Sequence, residues 1–388
     1  MINISSKLPA VNNSIFSIMS ALATEQRAIN LSQGFPDFNC NPKLISLVNK
    51  YMKAGNNQYA PMPGVLSFRE KIAEKIQELY QAEYHADEEI TVTAGATQAI
   101  FTAIAAIIRP DDEVIAFDPS YDCYAPAVDL FGGIIKTVEL KPENNFAVEW
   151  DKVKKLFSSK TRMIIINTPQ NPCGKCFTDN DMQQLIKITQ GTDIIILSDE
   201  VYEHILFDRK HISVCQYPEL RERSFVVSSF GKTYHVTGWK IGYCAAPQRL
   251  TQEFRKIHQY QVFSVNTPLQ MAINEFMKNK DELLALNDFF KEKMEFLYEG
   301  LKQTKFKPIR PQGTYFLLAD YSAISDLDDI SFTKEVTVQH KVASIPLSVF
   351  YKSKLDDHII RFCFAKKKET LEKALEKLIK IDQLSSTL

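Results

Sequence analysis

The sequence lacks any apolar run near the roughly 18–20 residues that a membrane-spanning helix needs, so no transmembrane role is expected. Its first residues (MINISSKLPAVNNSIFSIMSALA) carry neither a basic opening nor a long apolar stretch, and do not read as a secretory signal. An excess of either charge is also missing: 46 Lys and Arg stand against 47 Asp and Glu, a net charge of −1. That balance removes the electrostatic reason to expect nucleic acid or an anionic membrane as a partner. The one dense basic run, Lys366-Lys367-Lys368, precedes an amphipathic pattern and reads as a solvated helix start. Seven cysteines, an odd number scattered along the chain, form no disulfide framework, so the expected compartment is the reducing cytoplasm. Cys173 and Cys176 make a lone C-x-x-C without a second pair at zinc spacing, and His204, His235 and His258 have no metal-ligand spacing. No metal is expected.

Internal repeats, low-complexity tracts and Gly/Ser linkers are absent as well, so organisation must be read from pattern changes. What is present is a series of short β-branched apolar runs alternating with helical patterns: Ile90–Thr93, Glu113–Phe117, Ile134–Val138, Met163–Asn167, Asp193–Ser198, Ser224–Ser228 and Ile241–Ala245. Helical stretches such as Ala96–Ile108 and Asn180–Thr189 lie between them. This predicts an α/β fold with a doubly wound, mostly parallel seven-stranded sheet. Beyond it, a long helix near Leu283–Gln303 leads to short strands at Thr314–Ala319, Val342–Ser344 and Ile359–Phe364. A last helix, Glu369–Ile381, has Leu371, Leu375, Leu378 and Ile379 at helical spacing, which completes a smaller α+β domain. The expected division is 1–44 as an N-terminal segment with little regular pattern packing with the small domain, 45–287 as the large domain, and 288–388 as the small one.

Ligands of open α/β sheets bind outside the carboxyl ends of the strands, and the residues just after these runs are chemically rich. After Thr93 comes Ala94-Gly95-Ala96-Thr97-Gln98, opening a helix: either a simple strand–helix turn or a phosphate cradle of free N–H groups. After Phe117, Asp118-Pro119-Ser120-Tyr121 puts an aromatic ring at the same edge. After Ile166 comes Asn167-Thr168-Pro169-Gln170-Asn171-Pro172, whose Asn-Pro pair also suits turn initiation. Asp199, close behind an apolar run, is costly to bury without a cationic partner, although a capping role is open to it; Tyr202 follows three residues later.

After Val227, Ser228-Ser229-Phe230-Gly231-Lys232-Thr233 places a lysine beside glycine and hydroxyls. A nucleotide-binding P-loop would need glycine at position 226, where Val226 stands. A phosphate cradle, an aromatic plate, an amide, a carboxylate and an amine are together what pyridoxal 5′-phosphate asks for. Its aldehyde needs a lysine, its ring nitrogen an anion, and its phosphate donors. Arg361, inside the apolar run Ile359–Phe364, suits either a structural ion pair or a bidentate substrate carboxylate.

Eight segments then carry a resemblance across nearly the whole chain: LSQGFPDF (31–38), NQYAPMPG (57–64), TVTAGATQA (91–99), FDPSYDCYAP (117–126), NTPQNPCGK (167–175), SDEVYEH (198–204), SSFGKTYHVTGWKIGY (228–243) and IRFCFAK (360–366). In this order they resemble class I (fold-type I) pyridoxal-phosphate aminotransferases, within them the kynurenine/methionine branch, on its bacterial methionine-aminotransferase side. The resemblance implies Lys232 as the Schiff-base lysine and proton carrier, and Asp199 as partner of the ring nitrogen. It places Asn171 and Tyr202 on the ring hydroxyl, Tyr121 on the ring face, and Ala96, Thr97, Ser229 and Lys240 on the phosphate.

Tyr59 would reach over from a partner subunit in a homodimer, and Arg361, helped by Gly34 and Asn171, would clamp the substrate carboxylate. The implied donors are methionine and other large apolar or aromatic L-amino acids, with a 2-oxo acid as acceptor. The stretch Ser264–Pro268 departs from animal kynurenine-type enzymes, where a His is expected near Asn266. Rival readings are a kynurenine/glutamine aminotransferase or a cysteine-conjugate β-lyase on the same scaffold. A transcription regulator with an aminotransferase-like sensor would need a DNA-binding domain ahead of a resemblance that here begins within the first few dozen residues.

Overall fold

Apolar alternation builds the large sheet. In a computed structural model, which describes residues 2, 4–9, 11 and 13–381, the strands in chain order begin with β1 (Ile29–Asn30), β2 (Ile90–Thr93), β3 (Glu113–Asp118) and β4 (Ile134–Glu139). They continue with β5 (Thr161–Asn167), β6 (Ile195–Asp199), β7 (Ser224–Ser229) and β8 (Gly242–Ala245). Strands β2 to β8 form one seven-stranded sheet in the order β2-β8-β7-β6-β5-β3-β4. The β3–β4, β3–β5, β5–β6 and β6–β7 pairs are parallel, while β8 runs antiparallel to both neighbours. The mostly parallel seven-stranded sheet expected from the sequence is therefore present, with ends shifted by one or two residues.

Successive side chains of a strand point to opposite faces, and each face has its own core. Val114, Ala116, Met163, Ile165, Leu197, Phe225 and Val227 pack on one side with Ala99, Ala103 and Ile104 of the helix Ala96–Ile107. Ile115, Phe117, Ile164, Ile166, Ile196 and Val226 pack on the other, where Met182 and Leu185 of the helix Asp179–Thr189 meet them. Helices thus cover both faces, as buried parallel strands require.

The remaining strands are β9 (Lys307–Ile309), β10 (Phe316–Asp320), β11 (Val342–Ala343), β12 (Ile345–Pro346) and β13 (Ile359–Cys363). An antiparallel sheet β12-β13-β10-β9 is backed by a third core, to which the helices Asp281–Leu301 and Lys368–Leu378 contribute Phe290, Met294, Leu297, Leu371, Leu375 and Leu378. Five features differ from the sequence expectation. The N-terminal segment is ordered: the helix Ile15–Glu25 lies against the helix Asp329–Gln339, and β1 pairs in parallel with β11. The run 342–346 changes sheets at Ser344, β11 pairing with β1 and β12 with β13. The helix Asp329–Gln339 escaped the pattern because Asp329, Thr333 and Thr337 share its buried face with Phe332 and Val336. Ile379, counted with the apolar stripe of the last helix, is 38% exposed. The helix Asp281–Leu301 runs unbroken past residues 287 and 288.

Candidate active site

The carboxyl ends of β2, β5, β6 and β7 converge on a cavity of about 180 Å³. Its walls include Ala96, Thr97, Tyr121, Asn171, Asp199, Tyr202, Ser229, Lys232 and Lys240, nine of the residues expected from the sequence.

The turn after β2 fixes one end. Gly95 has φ +79°, and a Cβ there would come within 3.2 Å of Cε and Nζ of Lys240, so the lysine packs directly on the glycine backbone. The helix beginning at Ala96 presents first-turn amides that have no partner within the helix. Thr97 Oγ1 lies 3.3 Å from the Tyr121 hydroxyl, and Ser229 Oγ accepts from Gly231 N–H at 3.2 Å. A helix N-terminus, hydroxyls and an ammonium on one wall make an anion cradle.

Asp199, the last residue of β6, is 3% exposed. It accepts from the Tyr124 hydroxyl at 2.6 Å and from Val201 N–H at 3.3 Å. Burial, only partly offset by Tyr124 and the backbone, still pushes its carboxyl up to about 6. Lys232 follows β7 on the four-residue turn Phe230–Thr233. Burial pulls its amine down to about 8. Both shifts have the sign that desolvation of an incompletely paired charge produces. The Tyr202 hydroxyl, fully enclosed, is driven up by burial.

Arg361 sits on β13 opposite Leu318 and Ile345. Its Nη1 donates to Asn171 Oδ1 at 2.7 Å and its Nη2 to the Ser32 carbonyl at 3.3 Å. The guanidinium carbon lies 3.8 Å from the Phe316 ring centre, and the buried Nε has no hydrogen-bond partner among the described residues. It makes no ion pair there, and burial pulls it down to about 10. Gly34 reaches the site through its carbonyl, 3.5 Å from Lys232 Nζ. Tyr59 does not: it is 81% exposed and meets the ring of Phe263 instead.

Four contributors were not anticipated. Asn167 lines the cavity, donates to the Asp199 carbonyl at 2.8 Å and accepts from Asn171 N–H at 2.7 Å. Tyr124 holds Asp199, Thr237 lines the wall near Lys240, and Tyr315 lies 2.9 Å from Lys232 Nζ. Asn167 and Tyr124 stand inside segments already singled out, so position in the motif was an available signal. Tyr315 had none, because this residue, just ahead of β10, meets Lys232 only in three dimensions. The C-x-x-C pair is buried, and burial raises Cys173 to about 12 and Cys176 to about 11, which keeps both as thiols.

Residues 26–378 match the family Aminotransferase class I and II. The chain is 50% identical to a methionine aminotransferase of Escherichia coli (strain K12) over 375 residues, covering 96% of this chain and 97% of that one. It is 32% identical to kynurenine–oxoglutarate transaminase 3 of Rattus norvegicus, covering 95% of this chain and 88% of that one. Among solved structures, YbdL of Escherichia coli, described as having a methionine aminotransferase function, superposes with a TM-score of 0.96 at 48% identity, covering 98% of this chain and all of that one. With its strand-end cavity and a family match that runs through nearly the whole fold, the chain belongs to the class I and II aminotransferases.

Proposed function

We propose that this enzyme is a pyridoxal-5′-phosphate-dependent transaminase that takes methionine and other large apolar or aromatic L-amino acids as donors and a 2-oxo acid as acceptor. One observation carries the reading: a single cavity holds an amine lowered by burial and a carboxylate raised by burial, beside an anion cradle. That donor set fits pyridoxal phosphate. Lys232 would hold its aldehyde, Asp199 its ring nitrogen, Asn171 and Tyr202 its ring oxygen, Tyr121 its ring face, and Ala96, Thr97, Ser229 and Lys240 its phosphate. The cofactor supplies an aldehyde that exchanges amines and a protonated ring that withdraws electrons.

The protein's own groups do the rest. A cation in contact with Asp199 relieves its buried charge, so the carboxylate keeps a ring nitrogen protonated. Arg361, already stacked on Phe316 and held by Asn171, presents a fork to the substrate carboxylate. Lys232, with its lowered amine, takes a proton from the substrate Cα and returns it elsewhere, as a base working near neutral pH should.

The preference for methionine rests on the 50% identity to the Escherichia coli enzyme. Tyr59, Tyr260 and Phe263 form exposed aromatic surface, which supports a homodimer in which Tyr59 completes the partner's site. No helix among the described residues is long and apolar enough to cross a membrane. A cytoplasmic location is part of the same proposal, supported by seven free cysteines.

The test is a panel of amino acids and 2-oxo acids with the pyridoxal-phosphate-loaded protein, followed at the cofactor's absorption band. Methionine and aromatic donors are expected to convert the band, and an added 2-oxo acid to restore it. No conversion by any amino acid would sink the transaminase reading. Conversion by kynurenine or glutamine ahead of methionine would sink the substrate preference, and steady 2-oxo acid release without an acceptor would mark a lyase.

A further inference from the structure

Lys232 does not project alone into the cavity. Its Nζ lies 2.9 Å from the Tyr315 hydroxyl oxygen and 3.5 Å from the Gly34 carbonyl oxygen, and the Tyr315 hydroxyl donates to that same carbonyl. The three groups close a triangle. The Gly34 corner is itself held, because Lys366, 3% exposed, donates to the Phe35 carbonyl at 2.8 Å and lies 3.5 Å from that of Gln33. The Tyr315 ring is 1% exposed and packs edge-on to Tyr202 and Phe316.

One arrangement of donors and acceptors fits these contacts. Since the Tyr315 proton is directed at Gly34, its oxygen faces Lys232 as an acceptor. A neutral primary amine has two N–H bonds and one lone pair. Tyr315 and Gly34 accept the two N–H bonds, which leaves the lone pair facing the cavity. Burial drives the Tyr315 hydroxyl far above its ordinary range, so it stays neutral and does not compete for the proton.

We propose that Tyr315 is a catalytic residue: it accepts one N–H of the Lys232 amine whenever that amine is free, and so aims the nitrogen lone pair at the substrate Cα proton. The proposal rests on the transaminase reading. In the step concerned the Cα–H bond breaks, its electron pair stays with the substrate, and a new N–H bond forms on Lys232. The third N–H of the resulting ammonium points where the lone pair did, ready to be given back.

Besides Tyr202 and Tyr315, the titratable and charged groups facing Lys232 are Cys363, Lys240, Asp199 and Arg361. A hydroxyl oxygen accepting from Lys232 favours the ammonium, so its removal moves the lysine's titration to lower pH.

Tyr315→Phe keeps the ring and removes only the hydroxyl. Wild type and variant are loaded with pyridoxal phosphate, reduced with borohydride and peptide-mapped, and cofactor affinity is measured by absorbance titration. Both are expected to carry the label on Lys232 with equal affinity, which also shows that the variant is folded. Single turnover with methionine should then slow by about tenfold at unchanged KM, and the pH midpoint of that single-turnover rate, which titrates the freed Lys232 amine, should fall. Tyr202→Phe, in contrast, should weaken cofactor binding. A labelled wild type whose Tyr315→Phe variant keeps its rate and midpoint overturns this proposal alone. So does weakened cofactor binding with an unchanged saturated rate, which would put Tyr315 in the cofactor cradle. A wild type that carries no label on Lys232 overturns the functional reading and the Tyr315 assignment with it.

Discussion

Five consecutive residues, Asp199-Glu200-Val201-Tyr202-Glu203, supply two buried polar sites of opposite character. Asp199 and Tyr202 line the cavity, where burial leaves charges incompletely matched. Glu200 and Glu203 turn the other way into a network where the carboxylates are answered. Glu203 receives Lys75 Nζ at 2.6 Å and the hydroxyls of Tyr80, Ser228 and Tyr243. Glu200 receives Ser198 Oγ at 2.7 Å, Val214 N–H at 3.2 Å and His211 Nε2 at 2.7 Å. Burial acts to raise the Glu203 carboxyl, but the Lys75 ammonium, His204 and the hydrogen bonds outweigh it and hold it well below the usual carboxylate range.

The division recurs on the neighbouring strand, where Ser228 joins the network and Ser229 the cavity. Alternation across a sheet separates the two sites by one residue. Charges left incompletely matched are available to a ligand; charges fully matched hold the turn that carries them.

That contrast can be broken at either end. The largest effect is expected for Lys232→Ala, which should cost on the order of 10⁵-fold in turnover while leaving thermal unfolding of the cofactor-free protein near wild type. Retained turnover would show that another group moves the proton.

Next, Asp199→Asn should lower activity by about 10³-fold yet stabilise the cofactor-free protein above pH 6. The sign follows from linkage. The folded carboxyl is raised from 3.8 to about 6, so the folded state holds the extra proton and stability falls as pH rises through that window. Removing the charge should recover about 1–3 kcal/mol at pH 8, measured by urea unfolding with and without pyridoxal phosphate. An unchanged pH dependence would mean that Asp199 is not strained.

The network should respond in the opposite manner. Lys75→Met is expected to cost about 3–4 kcal/mol of stability, because Glu203 is left buried without its cation, while activity per folded molecule is retained. In wild type, stabilisation by Glu203 is in force above its ordinary value of 4.5 and is lost only as the pH falls toward its lower folded value. A large loss of activity with intact stability in Lys75→Met would erase the distinction between the two sites. The smallest effect should come from Arg361→Lys, which keeps the charge but loses the fork. KM for methionine should rise by about 10–100-fold with little change in kcat, and a drop in kcat alone would argue against carboxylate binding.

Much of this was legible in advance, for a physical reason. The seven large-sheet strands are short and bounded by turn residues, and all but the edge strand β4 are almost wholly buried, so their apolar runs announced them, and strand-end chemistry follows from where open sheets bind ligands. The helix Asp329–Gln339 was illegible because a buried face containing Asp329, Thr333 and Thr337 has no apolar period; Ser348 answers Asp329 with two donors, at 2.6 and 2.7 Å. Tyr315 and Lys366 were illegible because their partners lie 83 and 331 residues away in the chain.

The sequence by itself determined the strand order of chemistry along the chain: cradle, ring, amide, carboxylate and lysine, each placed by the local rule that loops follow strands. Only the tertiary structure decided how those groups are charged and what they touch. Burial depth moved Asp199 and Lys232 toward each other in proton affinity, and folding brought Tyr315 and Gly34 to Lys232, and Arg361 to Asn171, from segments far apart in sequence. Desolvation and hydrogen-bond partnership depend on everything packed around a group, and no local pattern encodes them.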